Sequence, residues 1–185
     1  MFEIFTGLAK SKIVTERVGK GKDSCPSQFV ETIVSPIITP PTLGELGQKL
    51  HDKVKKICRD SLHIRYVDAG ACNACDFEIN ALPNPIYDIQ QYGIDFVASP
   101  RHADMLLITG VVTRNLEGAL MKTYEACPQP CLVVAVGACA CGGGIFKDSY
   151  AAGGGVDKYL PVDVYVPGCP PTPELILEGI LKAIG

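Results

Sequence analysis

Cys72, Cys75, Cys139 and Cys169 stand in three glycine- or proline-bounded turns: Ala71-Cys72-Asn73-Ala74-Cys75-Asp76, Gly137-Ala138-Cys139-Ala140-Cys141-Gly142 and Gly168-Cys169-Pro170-Pro171. Thiolates are the usual protein ligands of iron–sulfur clusters. One Cys-x-x-Cys pair joined by cysteines from distant loops supplies the four that such a cluster needs. Glycine and proline turns let the backbone come close and leave amide hydrogens free to point at sulfur. Cys72, Cys75, Cys139 and Cys169 therefore read as one cluster-binding set. Four thiolates also suit tetrahedral zinc, although zinc sites more often use two Cys-x-x-Cys knuckles and this chain has one such pair and two singletons.

The chain has nine cysteines, and the other five read differently. Cys131 begins an apolar run and Cys58 extends an apolar helical stripe, so packing explains both. Cys127 precedes Cys131 by four positions across Pro128 and Pro130, a metal-like spacing without partners, and Cys25 has no motif around it. Cys141 is the rival of Cys139, since it follows the same glycine turn and has the same chemistry. Arg101, His102 and Asp104 read as a surface turn, and glycines 142–144 and 153–155 lack the Gly-Lys-Ser/Thr ending of a phosphate loop.

These residues need a framework. With 185 residues, 47% hydrophobic, 20% charged and a net charge of -3, the chain fits one globular domain plus an extension and is not basic enough for nucleic acid. The odd cysteine count and a start at Met1-Phe2-Glu3-Ile4, without the zones of a secretory signal, lead us to expect a reducing, cytoplasmic setting. The longest apolar stretch, Cys131 to Phe146, is broken by four glycines and falls short of a membrane span of about 20 residues. Membrane contact is expected only through a partner.

Residues 1–34 show no sustained period, and Pro36, Pro40 and Pro41 follow as an extended connector, so this part reads as an arm. Thr42 stands where an N-cap belongs, Glu45 lies three residues on, and Leu43, Leu46, Leu50, Val54 and Ile57 recur at helical spacing. That stripe is expected to lie on the body or on a neighbouring subunit. From His63 the pattern becomes short apolar runs at 64–67, 95–98, 105–111, 131–136 and 162–166, with amphipathic stretches at 74–82, 114–126 and 173–184. Continuous apolar runs of this length fit buried parallel strands with crossover helices. The expected fold is a flavodoxin-like, doubly wound α/β sheet over 61–185, preceded by an arm and amphipathic helix over 1–60 that contact another subunit. All three cysteine turns follow predicted strands, which places them beyond the carboxyl edge where such sheets form their sites.

Cys72-x-x-Cys75 with Glu78, Gly137-x-Cys139-Ala140 and Val166-Pro167-Gly168-Cys169-Pro170-Pro171, taken together and in this order, resemble the cluster-bearing small subunit of [NiFe] hydrogenases. The related 20 kDa subunit of respiratory complex I is similar too. The likeness covers roughly residues 60–185. It implies one [4Fe–4S] cluster on Cys72, Cys75, Cys139 and Cys169, and a nickel–iron centre held by a separate large subunit. It also implies a ferredoxin-like (polyferredoxin) partner, integral membrane subunits, and a place on the cytoplasmic side of the membrane reached through those partners. The complex I subunits have adjacent cysteines in the first motif, whereas Asn73 and Ala74 separate them here, as in the hydrogenases. The chain stops one helix after Cys169, and Ser99-Pro100-Arg101-His102-Ala103-Asp104 and Gly110-Val111-Val112-Thr113 also look like the complex I-like, energy-converting and formate hydrogenlyase types. A cluster subunit of a quinone-reducing, complex I-like enzyme is the alternative. Glu78 matches a family carboxylate implied in proton transfer beside the large subunit; on residue chemistry alone it reads equally as an exposed or capping carboxylate.

Overall fold

The structure, a computed structural model, describes residues 43–58 and 61–185; the arm, Thr42 and Cys25 lie outside them. The elements are α1 (Leu43–Cys58), β1 (Leu62–Asp68), α2 (Ala74–Ala81), β2 (Ile94–Phe96), β3 (Met105–Thr109), α3 (Arg114–Ala126), β4 (Leu132–Val136), α4 (Ala138–Gly142), β5 (Val164–Val166) and α5 (Pro173–Ile184). Every strand pairing is parallel and the order is β2-β1-β3-β4-β5, the flavodoxin-like order expected from the apolar runs.

The strand sequences follow from their places in the sheet. β3 is buried along its whole length and β4 from Val133 to Val136, so both faces of each strand take apolar residues. The edge strands β2 and β5 are only three residues each, which leaves little unpaired edge. β3 stops at Thr109, short of the run's end at Val111, because Gly110 turns the chain at φ 78. β5 starts two residues later than the apolar run; just before it, the Asp163 N–H donates to Val133 O at 2.9 Å and its Oδ2 accepts the Val133 N–H at 2.8 Å.

One face of the sheet is covered by α1, α2 and α5, with Leu46, Leu50, Val54, Ile79, Leu177 and Ile180 packed against it. The other face holds Leu120 of α3 and Ala140 of α4, which makes the sheet doubly wound. The α1 stripe thus lies on the body: Gly47 offers no Cβ, and the Tyr92 ring fills that space. Burying a side chain such as Leu50 contributes about 1.5–3 kcal/mol. Register pairs Asp68 with Thr109, Thr109 with Val136 and Val136 with Val166, so four strands end in one row. The turns after β1, β4 and β5 leave from that row.

Candidate iron–sulfur site

Each cysteine loop is shaped by its own short bonds. After β1, Asp68 Oδ1 accepts the N–H groups of Gly70 and Ala71, both at 2.7 Å, and this tight turn delivers Cys72. Asn73 then adopts a left-handed φ of 70 and starts α2, which carries Cys75 in its first turn. After β4, the Gly137 N–H donates to Val166 O and the Ala138 N–H to Gly168 O, each at 2.8 Å. Those two bonds stitch the loop of Cys139 to the loop of Cys169.

The four cysteines meet at this edge. Cys72 and Cys169 are exposed, and Cys75 and Cys139 are half-buried. Burial first, then the charges of Cys139, Cys72, Asp76 and Cys169, push the Cys75 thiol up to about 11. Cys139 is raised in the same direction by burial and then by Cys169 and Cys72. The raised thiols of Cys75 and Cys139 are relieved when a cation replaces their protons.

Two sulfurs sit against bare backbone. A Cβ on Gly137 would lie 2.6 Å from Cys75 Sγ, and one on Gly144 would lie 3.0 Å from Cys139 Sγ. Among the described residues no three His, Cys, Asp or Glu side chains are gathered to hold a single ion. Bare backbone beside Cys75 and Cys139 suits a bulky group on the sulfurs, and four thiolates are the donor set of an iron–sulfur cluster.

Residues 72–183 match the family described as NADH ubiquinone oxidoreductase, 20 kDa subunit. The chain belongs to this family. Formate hydrogenlyase subunit 7 of Escherichia coli (strain K12) is 43% identical over 149 residues, covering 80% of this chain and 58% of that protein. An NADH-quinone oxidoreductase subunit of Citrifermentans bemidjiense is 49% identical over 108 residues, 58% of this chain and 63% of its own length. The chain therefore spans less than two thirds of either relative. A chain in the solved structure of the membrane-bound sulfane sulfur reductase, an archaeal respiratory membrane complex, matches with a TM-score of 0.61 and 39% identity, covering 74% of this chain and 73% of that one. The longer alignment is to the hydrogenlyase subunit and the higher identity to the quinone-linked one, so the choice between them rests on the site itself.

In this member of the 20 kDa family, Cys141 is the buried one of the two cysteines after Gly137, and Cys139 is half-buried. The Cys141 Sγ lies 3.9 Å from Ala135 O and 3.8 Å from Val166 O, inside the sheet. Cys127 and Cys131 are buried just before β4, where their thiols hydrogen-bond each other. Cys58 closes α1, near Asp104 at the start of β3. Cys58, Cys127 and Cys131 all lie by the amino ends of strands, opposite the site. Arg101 and His102 are exposed on a 3-10 turn, and Asp104 accepts the His63 N–H at 3.0 Å.

Glu78 is half-buried on α2, one turn beyond Cys75. Its charge is felt at Tyr87, whose hydroxyl donates to Glu174 Oε1 at 3.0 Å; that bond, burial and the two carboxylates raise the Tyr87 pKa. Beside Cys72 a cleft of about 230 Å³ opens between Gly70, Ala71, Val111 and Phe146.

Three further residues belong to the site and carry no motif. Tyr66 of β1 donates its hydroxyl hydrogen to Asp76, and Thr109 of β3 donates to the same carboxylate oxygen at 2.8 Å. Burial, then the bond to Asp76, pushes the Tyr66 phenol well above its usual range. The only trace of this group in the sequence is Thr109, a polar residue closing an otherwise apolar strand.

Proposed function

We propose that this chain is the electron-transfer small subunit of a multisubunit membrane-bound [NiFe] hydrogenase. It would pass single electrons between the nickel–iron centre of a large subunit and a ferredoxin-like subunit, through one [4Fe–4S] cluster on Cys72, Cys75, Cys139 and Cys169. The supporting observation is the convergence of these four thiols at one sheet edge, with the first two separated by Asn73 and Ala74. That separation is the feature by which the first motif resembles the hydrogenases and differs from the quinone-linked subunits. A cluster so held supplies a one-electron couple, in a class spanning about −700 to +450 mV.

The chain's own residues have three tasks. The cysteine loops bind and orient: Gly137 and Gly144 let backbone approach Cys75 and Cys139, and the bonds from Gly137 and Ala138 fix the two later loops together. The surface around the thiols excludes water once a partner covers it. Phe77, two residues after Cys75, is 74% exposed, and Ile145, beside Gly144, is 86% exposed; both are apolar and suited to docking a large subunit. Glu78 would move protons at that interface. Residues 1–60 would contact a further subunit, as part of a peripheral attachment on the cytoplasmic side through integral membrane partners. No helix among the described residues is long and apolar enough to cross a membrane.

The second reading, a cluster subunit of a quinone-reducing, complex I-like enzyme, draws on the higher identity to the NADH-quinone oxidoreductase relative. The deciding experiment is anaerobic purification with co-eluting partners, followed by iron, sulfide, nickel and zinc analysis and EPR of the reduced sample. About four irons per chain with a reduced [4Fe–4S] signal, and nickel in a co-purifying subunit, are expected. Iron without nickel would shift the assignment to a relative that reduces quinone or sulfane sulfur. Zinc without iron would overturn electron transfer altogether.

A further inference from the structure

We propose that Asp76, fixed by the hydroxyls of Tyr66 and Thr109, is the positioning residue through which this chain orients Cys75 and sets the reduction potential at the four-thiol site. The inference rests on reading that site as the holder of a [4Fe–4S] cluster.

Asp76 follows Cys75 directly in the first turn of α2. One of its carboxylate oxygens accepts hydrogens from both Tyr66 and Thr109, whose own oxygens lie 3.1 Å apart. Thr109 is the only polar side chain wholly buried among the described residues, and its hydroxyl is committed to Asp76. A buried hydroxyl that loses its partner is costly, and bonds to an ionised group are the stronger kind. The two donors come from β1 and β3, neighbours in the sheet whose ends are paired at Asp68 and Thr109. The clamp therefore ties the turn carrying Cys75 to the row from which the other cysteine loops leave.

The carboxylate also acts through its charge. Asp76 is the next residue after Cys75 and shares the first turn of α2 with it, so its charge stands beside that sulfur. A fixed negative charge beside a ligating sulfur disfavours the reduced, more negative state and lowers the potential. The two O–H donors draw density out of the carboxylate and temper that field. Charge and clamp thus make opposite contributions, which a purely structural role would not do.

The test uses the purified full complex carrying Asp76→Asn, Tyr66→Phe or Thr109→Val, with iron content and an EPR-monitored redox titration as readouts. An amide oxygen still accepts both hydroxyls, so Asp76→Asn is expected to keep its iron and move the midpoint potential positive. Tyr66→Phe and Thr109→Val are expected to keep iron and move it negative. Unshifted potentials with iron present would overturn the inference, as would Asp76→Asn and Tyr66→Phe moving in the same direction. Where Asp76→Asn loses iron, the Tyr66→Phe titration decides: a negative shift supports the role and no shift removes it. A wild-type complex without iron would instead fail the reading of the site itself, and the inference with it.

Discussion

Replacing Gly137 with alanine should empty the four-thiol site of iron while leaving the sheet folded. The new methyl would stand 2.6 Å from Cys75 Sγ, against an ordinary contact of about 3.5–4.0 Å, so one partner must retreat by roughly 1 Å. Gly137 cannot give way, since its N–H donates to Val166 O and the next residue's N–H to Gly168 O. Cys75 is the part that must move, and a displaced sulfur no longer shares a cluster with the other three. Gly137 also sits at φ 89, ψ 155, where a side chain costs about 1–3 kcal/mol. At about 2–4 °C per kcal/mol for a chain of this size, the variant should melt roughly 2–12 °C lower. Gly118→Ala is the control: it lies on α3 with nothing within 4 Å of its added Cβ, and alanine there should be neutral or stabilise by up to about 1 kcal/mol. Iron analysis, EPR and calorimetry on both variants give the answer. Full iron with an unchanged signal in Gly137→Ala would refute the placement of Cys75 in the set, and equal losses in the two variants would refute the argument from close approach.

Cys139→Ser should lose iron, whereas Cys141→Ser should keep it and lose about 1–3 kcal/mol, because its hydroxyl enters an apolar interior; iron content and melting of the two separate these outcomes. Glu78→Gln should slow hydrogen turnover or proton exchange with the EPR signal intact, and normal turnover would take Glu78 out of the proton route. Burial and neighbouring charge push the Cys75 and Cys58 thiols from the usual 9.0 to about 11. Below pH 9 both folded and unfolded apo chains keep these protons; between about 9 and 11 the unfolded chain sheds them first, so apo stability should fall across that window. Denaturant titrations at pH 8, 9.5 and 11 would check this, and the iron-loaded protein should fall less because Cys75 no longer titrates.

The sheet was legible because burial writes itself into composition. β3 and β4 are covered on both faces, so their runs are apolar throughout, and the glycines after them mark where the chain must turn. That the cysteine turns leave from one edge was legible for the same reason, since parallel strands in register end in a row and each cysteine turn follows a strand. Which of Cys139 and Cys141 is buried was not, because it depends on a five-residue helix hidden among glycines. α4 runs Ala138–Gly142, and two residues along a helix rotate by about 200°, so the two thiols face opposite ways and one of them must enter the core. A loop would have imposed no such choice.

The Asp76 clamp was illegible on other grounds. Tyr66, Asp76 and Thr109 have no fixed spacing, and they meet only because β1 and β3 pair in one register and α2 begins directly above their ends. Ligand cysteines need particular turns, and those turns leave glycines and prolines in the chain. A group that acts on a ligand needs only to be near it, and nearness across a sheet leaves no local mark. The residues that tune such a site are therefore found from the register, with the buried hydroxyl of Thr109 as the place to start looking.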